Sequence, residues 1–115
     1  MASSFSVSVS MSEAPAAAQA KAVNALEDAA RRVGLRLTRR GGGELGYRPR
    51  VQFPFLLMLW HYLSGERMTI RFEAGASGGT TVTLSGAVAR AALPVASDPA
   101  HWADPLGASA SASQS

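Results

Sequence analysis

Arginine is the residue type in this chain with the most chemistry to offer, because a planar fork of N–H donors recognises carboxylates and phosphates through paired hydrogen bonds. Nine arginines lie between Arg31 and Arg71 against only Glu44 and Glu66, a local balance of +7; elsewhere Lys21 and Arg90 face six acids, a balance of −4, which leaves the net +3. The charge is therefore polarised along the chain, and that polarity favours an anionic partner: a membrane surface, an acidic protein or nucleic acid. If Gly41–Gly43 close a hairpin, Arg40 faces Glu44, Leu37 faces Tyr47 and Arg36 faces Arg48. A like-charge pair across two strands is unfavourable unless an anion or a carboxylate sits between its members. Arg36 and Arg48, joined by Arg50, Arg67 and Arg71, form the candidate anion-binding set.

Other chemistries find fewer carriers. Gly41, Gly43 and Gly46 match the spacing of a dinucleotide-binding fingerprint, and the match follows a predicted strand. That fingerprint works only where a helix starts and its free amides hold the pyrophosphate, whereas Tyr47, Pro49 and alternating arginines continue as a strand. A flexible hairpin turn accounts for the glycines. His61 and His101 lie forty residues apart without metal-ligand spacing, and His101 with Asp104 reads as a polar surface pair. No serine occupies a nucleophile elbow, and Glu27 and Asp28 are each matched to an arginine four residues on. Cysteine is absent, which excludes thiol chemistry and thiolate metal sites. The expectation is a chain without a catalytic residue, a metal site or a cofactor; a small enzyme with an unrecognised site is kept as an alternative.

The elements that position the arginines follow from periodicity. Phe5–Ser10 alternates apolar and polar residues, the pattern of a strand with one buried face. Ser12, Glu13 and Pro15 resemble a helix start, Val23, Leu26, Ala30 and Val33 form an apolar stripe, and Gly34 supplies a stop, so one long amphipathic helix is predicted over Pro15–Val33. Leu35–Arg40 and Glu44–Arg50 make the first hairpin, with Leu35, Leu37, Leu45 and Tyr47 on the core side and Arg36, Thr38, Arg40, Arg48 and Arg50 on the other. Arg67–Phe72 and Thr81–Ser85 make the second, with Met68, Ile70, Phe72, Val82 and Leu84 inward and Arg67, Thr69, Arg71, Thr81 and Thr83 outward. Gly86–Ala96 fits either a strand or a short helix. Asp98-Pro99 has the form of a helix start, and Trp102 with Leu106 defines a single docked turn ended by Pro105 and Gly107. Ala108–Ser115, built of alanine and serine up to Gln114, is too small and polar to pack and is expected to be disordered.

The run Phe53–Leu63 differs from everything around it. Pro54 at a helix start and Gly65 just past its end, with Leu and Met between, predict a short apolar helix, and eight of its residues from Phe55 to Leu63 are large and apolar. Burying them is worth roughly 12 to 24 kcal/mol as an upper bound, comparable with a whole domain's stability, so the segment must be hidden from water. It is too short to span a bilayer. Core packing, a homodimer contact and a membrane-surface anchor flanked by arginines are the three ways to hide it, and Phe55, Leu56, Leu59, Trp60, Tyr62 and Leu63 are the candidate contact residues.

Length and the 47% hydrophobic content bound a single domain, residues 1–107, ahead of the tail. The fold class expected is α+β: an open antiparallel sheet of four to five strands with the long amphipathic helix and the short apolar helix on one face. The N-terminus has no basic start and no continuous apolar core, so a cytoplasmic location is the default. Function reads as a non-catalytic binding module that engages a hydrophobic or anionic partner. A single-stranded nucleic-acid module is the alternative, weakened because Phe5, Tyr47 and Phe72 all alternate inward, away from the face where bases would stack.

Overall fold

Alternation in sequence becomes alternation in burial. In β1 (Ala2–Met11), Phe5, Val7, Val9 and Met11 are buried while Ser4, Ser6 and Ser10 are exposed. The same two-residue period runs through β3 (Glu44–Pro49), β4 (Arg67–Ala74) and most of β5 (Thr80–Ala89). These residues belong to a computed structural model, which describes residues 2–49, 65–75 and 78–110.

With β2 (Leu35–Gly41), the strands form an open antiparallel sheet in the order β2-β3-β4-β5-β1, and a two-residue strand, β6 (Ser109–Ala110), adds to the free side of β1. The architecture is thus the α+β fold with an open antiparallel sheet that the pattern predicts. The second hairpin forms as expected, from Arg67↔Ala87 to Ala74↔Thr80, with Met68, Ile70, Phe72, Val82 and Leu84 all buried. Beyond Leu84 the alternation breaks. A Cβ on Gly86 would run into the Arg67 carbonyl and lie 2.7 Å from the Met68 Cα, so β4 and β5 approach here as closely as only glycine allows. Past that point Ala87 and Val88 are buried in succession. The ambiguous segment is therefore both things in turn: strand to Ala89, a 3-10 turn over Arg90–Ala92, and a short helix α3 (Leu93–Ala96).

The single long helix is replaced by two. α1 (Pro15–Ala25) and α2 (Glu27–Arg32) meet at Leu26, whose ψ of 0° opens the turn, although Leu26 N–H still donates to the Ala22 carbonyl (2.9 Å) and Ala30 N–H to the Leu26 carbonyl (2.8 Å). α1 lies over β4 and α2 over β2. In a twisted sheet β4 and β2, two places apart, run in different directions, so a chain that packs over one and then the other changes direction between them. Leu26, fully buried, is the pivot, with Ala18 and Ala22 buried on one side of it and Ala29, Ala30 and Val33 on the other.

The helix start also differs from expectation. Ala14, not Ser12, holds the cap position, without a side-chain cap; Pro15 opens the helix and needs no donor there. The loop is fixed instead by Thr80, whose hydroxyl donates to the Glu13 carbonyl at 2.7 Å, and by Lys21, whose ammonium donates to the Glu13 carboxylate at 3.0 Å and holds that carboxyl below its ordinary pKa. The predicted pairs along α2 do form, at 4.0 Å for Glu27–Arg31 and 3.2 Å for Asp28–Arg32.

At the C-terminal end Asp98 caps α4 (Pro99–Leu106) by accepting from the Ala100 N–H at 3.1 Å. The helix runs for eight residues and includes Pro105, ending where Gly107 turns left-handed at φ 62°. It lies over β1, with Trp102 and Leu106 fully buried and the indole N–H donating to the Ala96 carbonyl at 2.8 Å. Ala108, placed by composition in the tail, packs half-buried against the core, and Ser109 and Ala110 pair with Ser10 and Val9. The remaining tail residues lie outside the described residues. So does the apolar run Phe53–Leu63, including Phe55, Leu56, Leu59, Trp60, Tyr62 and Leu63, and with it the apolar helix expected there. Among the described residues no helix is long and apolar enough to cross a membrane.

Candidate anion-binding site

The first hairpin decides where the arginines go. Arg36 pairs with Arg48 and Leu37 with Tyr47, as the sequence predicts; the register then slips, so that Arg39 faces Gly46, Arg40 faces Leu45 and Gly41 faces Glu44. A bulge at Thr38 takes up one residue and shortens the turn to Gly42-Gly43, with Gly43 at φ 76°. Thr38 fills the irregularity by donating its hydroxyl to the Gly46 carbonyl at 3.3 Å.

The expected facing of Arg40 with Glu44 is corrected by this slip. Residues that pair directly share a face of the sheet, so Arg40 goes with Leu45 to the helix side and Arg39 goes to the outer side. There the Glu44 carboxylate accepts from Arg39 at 3.1 Å and from the Arg71 Nε at 3.3 Å. Arg71 is thus already matched to a carboxylate.

The glycine turn is held from two sides. Gln19, projecting from α1, donates its amide N–H to the Gly41 carbonyl at 2.6 Å and accepts from the Gly43 N–H at 2.9 Å, so one side chain satisfies both ends of the turn. From the other side the Phe72 N–H donates to the Gly43 carbonyl at 2.9 Å. With the Gly43 amide engaged by Gln19 and no helix beginning there, a phosphate cradle is not what the glycines make.

Of the five candidate arginines, the structure brings Arg48 and Arg67 to one shallow groove of about 150 Å³ on the outer face, bordered also by Thr38, Arg39, Gly46 and Thr69. Arg48 makes no ion pair among the described residues, and Arg67 donates only to the Gly65 carbonyl, at 3.1 Å. Arg36, although opposite Arg48 in register, stands on edge strand β2 and borders a second cavity on the helix side. Arg50 lies outside the described residues. Along β1 and β5 the outer face is hydroxyl, Ser4, Ser6 and Ser10 with Thr81, Thr83 and Ser85, while β3 and β4 also place Glu44, Arg71 and Glu73 on it.

The second cavity, about 410 Å³, opens between α1–α2 and the first hairpin. Tyr47 lies in its wall with 2% of its surface exposed, and its hydroxyl is buried without a hydrogen-bond partner among the described residues. Burial pushes that hydroxyl up to about 12, while the Arg40 charge draws it down and the Glu27 charge pushes it further up. Sequence reasoning assigned Tyr47 correctly to the core but had no signal for its orphaned oxygen, which depends on what α1 and α2 place around it.

His101 does not pair with Asp104. Its Nε2 lies 2.9 Å from the Ala29 carbonyl and its ring stands edge-on to Trp102 with centroids 4.8 Å apart, so it ties α4 to α2. His61 lies outside the described residues. No group of three metal-ligating side chains converges among the described residues.

Comparison with protein-family models, curated proteins and solved structures finds no match, so the reading of these surfaces rests on their own geometry.

Proposed function

We propose that this chain is a binding module whose outer sheet face engages an anionic surface through Arg48 and Arg67. The observation that carries the reading is the groove these two arginines border from neighbouring strands, with no carboxylate bound to either among the described residues. Two guanidinium groups left facing solvent side by side repel each other, and a bridging anion removes that repulsion. The hydroxyls along β1 and β5 support a broad, polar contact rather than a deep pocket.

An anionic membrane surface or an acidic protein fits this chemistry better than single-stranded nucleic acid, because Phe5, Tyr47 and Phe72 are buried and leave the outer face without their rings for stacking. The apolar run adds a hydrophobic component on sequence grounds alone, and a homodimer contact through it is the competing use. Co-sedimentation with phosphatidylcholine vesicles, with and without phosphatidylserine, tests the proposal. Binding that requires the anionic lipid, weakens from low to moderate salt and falls at least several-fold in an Arg48→Ala/Arg67→Ala double variant is the expected outcome. Equal sedimentation with both vesicle types, or an unaffected double variant, would overturn it. Retention on a single-stranded oligonucleotide instead of the vesicles would transfer the site to the nucleic-acid alternative.

A further inference from the structure

The two ends of the sheet are finished differently. At one end β2 is interrupted by the bulge at Thr38 and carries Arg36, Arg39 and Arg40. Bulges and charged side chains on an edge strand keep it from pairing with another chain. At the other end β1 has neither device. It runs ten residues, Ala2–Met11, without a charged residue or a proline, and pairs with β5 without a slip from Ala2↔Ala89 to Met11↔Thr80. Its far side is covered only where β6 pairs with Val9 and Ser10. Among the described residues the stretch from Ala2 to Ser8 therefore presents backbone donors and acceptors with no strand beside them. An apolar side chain accompanies this edge: α3 packs against β1 and β5, and its Val95, 41% exposed, is the one large apolar residue left exposed among the described residues.

We propose that β1 is a self-association edge, to which a second copy of this chain adds its own β1 antiparallel about a two-fold axis perpendicular to the sheet. The occupant has to be an extended strand with an unsatisfied side of its own, and β1 is itself such a strand. Pairing β1 with β2 of another copy would set the bulge and three arginines into the ladder and leave a free edge at each end, an arrangement that does not close; β1 with β1 closes as a dimer. The uncovered stretch has Phe5 at its centre, so a two-fold that uses its full length sets Phe5 opposite the partner's Phe5 and Ser4 opposite the partner's Ser6. Opposed residues share a face, which puts ring beside ring on the helix side and hydroxyl beside hydroxyl on the outer side, with no like charges facing. The two outer faces then lie on the same side of one continuous sheet. None of this depends on the anion site.

Sedimentation velocity of the full chain between about 1 and 500 µM tests this, and a reversible monomer–dimer equilibrium within that range is expected. Ser4 and Ser6 are exposed, so Ser4→Lys/Ser6→Lys is expected to fold with an unchanged circular dichroism spectrum. In the dimer it sets lysine opposite lysine twice, and dimerisation is expected to weaken at least tenfold. Ser4→Glu/Ser6→Glu is expected to behave in the same way on its own. An equimolar mixture of the two variants is expected to recover the dimer, which damage to the fold of either one could not produce. Three results would overturn the proposal, whatever the vesicle experiment shows. The first is a full chain that stays monomeric throughout the range, including one that dimerises only after residues 111–115 are removed. The second is a mixture that fails to recover. The third is a dimer that Trp60→Asp abolishes and both β1 variants leave intact.

Discussion

Hairpin β4–β5 pairs without interruption along its whole length, whereas hairpin β2–β3, of similar composition, slips by one residue halfway along. The difference lies in their neighbours. β4 and β5 are both interior strands, flanked by β3 and β1, so any slip would break hydrogen bonds on two sides. Among the described residues β2 is an edge strand, and a bulge there disrupts a single ladder. The consequence is chemical as well as geometric. The uninterrupted hairpin supplies core and sends one of its arginines, Arg71, to Glu44. The bulged one exchanges the faces of Arg39 and Arg40, so that Arg39 borders the outer groove and Arg40 the cavity on the helix side.

The interior hairpin breaks most severely where its strands are closest. Gly86→Ala places a methyl group against the backbone of Arg67 and Met68, which cannot yield as a side chain can, and a loss of about 3 kcal/mol is expected in chemical denaturation. A loss below about 1 kcal/mol would show that β4 moves aside, and the contrast between rigid and adaptable hairpins would fail.

A smaller effect marks the edge hairpin. Because the folded chain holds the Tyr47 proton up to about 12 against an ordinary value of 10.0, the unfolded chain releases it first as the pH rises. The Tyr47 contribution is therefore complete below pH 10 and is lost progressively as the pH climbs through 12, reaching about 2 kcal/mol. Denaturation curves across that window should fall more steeply for wild type than for Tyr47→Phe. Parallel curves would mean that the hydroxyl is solvated.

The least of the three concerns the turn. Gln19→Ala removes the clasp on Gly41 and Gly43 and is expected to cost about 1 kcal/mol, with faster hydrogen exchange at the Gly43 amide. Unchanged exchange at Gly43 would assign the rigidity of the turn to the Phe72 hydrogen bond alone.

The inward residues of every long strand were legible because alternation is a local property: a residue's face follows from its neighbours two positions away. Phe5, Val7, Val9, Leu45, Tyr47, Met68, Ile70, Phe72, Val82 and Leu84 are buried as the pattern requires. The candidate site was legible only in part. The Arg36–Arg48 pairing holds because it lies before the bulge, the facing of Arg40 with Glu44 fails because it depends on the register beyond it, and the contact of Arg71 with Glu44 had no local signal because it joins a third strand. The break at Leu26 was hidden for a similar reason, since a continuous apolar stripe fits a straight helix and a bent one equally.

The sequence by itself determined the strands, the two hairpins, their inward faces and the concentration of positive charge in the middle of the chain, all of which depend on residue type at short separation. Tertiary structure alone decided which arginines remain unmatched, where Gln19 reaches, and that the Tyr47 oxygen is enclosed without a partner. Those outcomes depend on groups tens of residues apart meeting within hydrogen-bond distance, and a one-residue slip on an edge strand is enough to move a charge from one face of the sheet to the other.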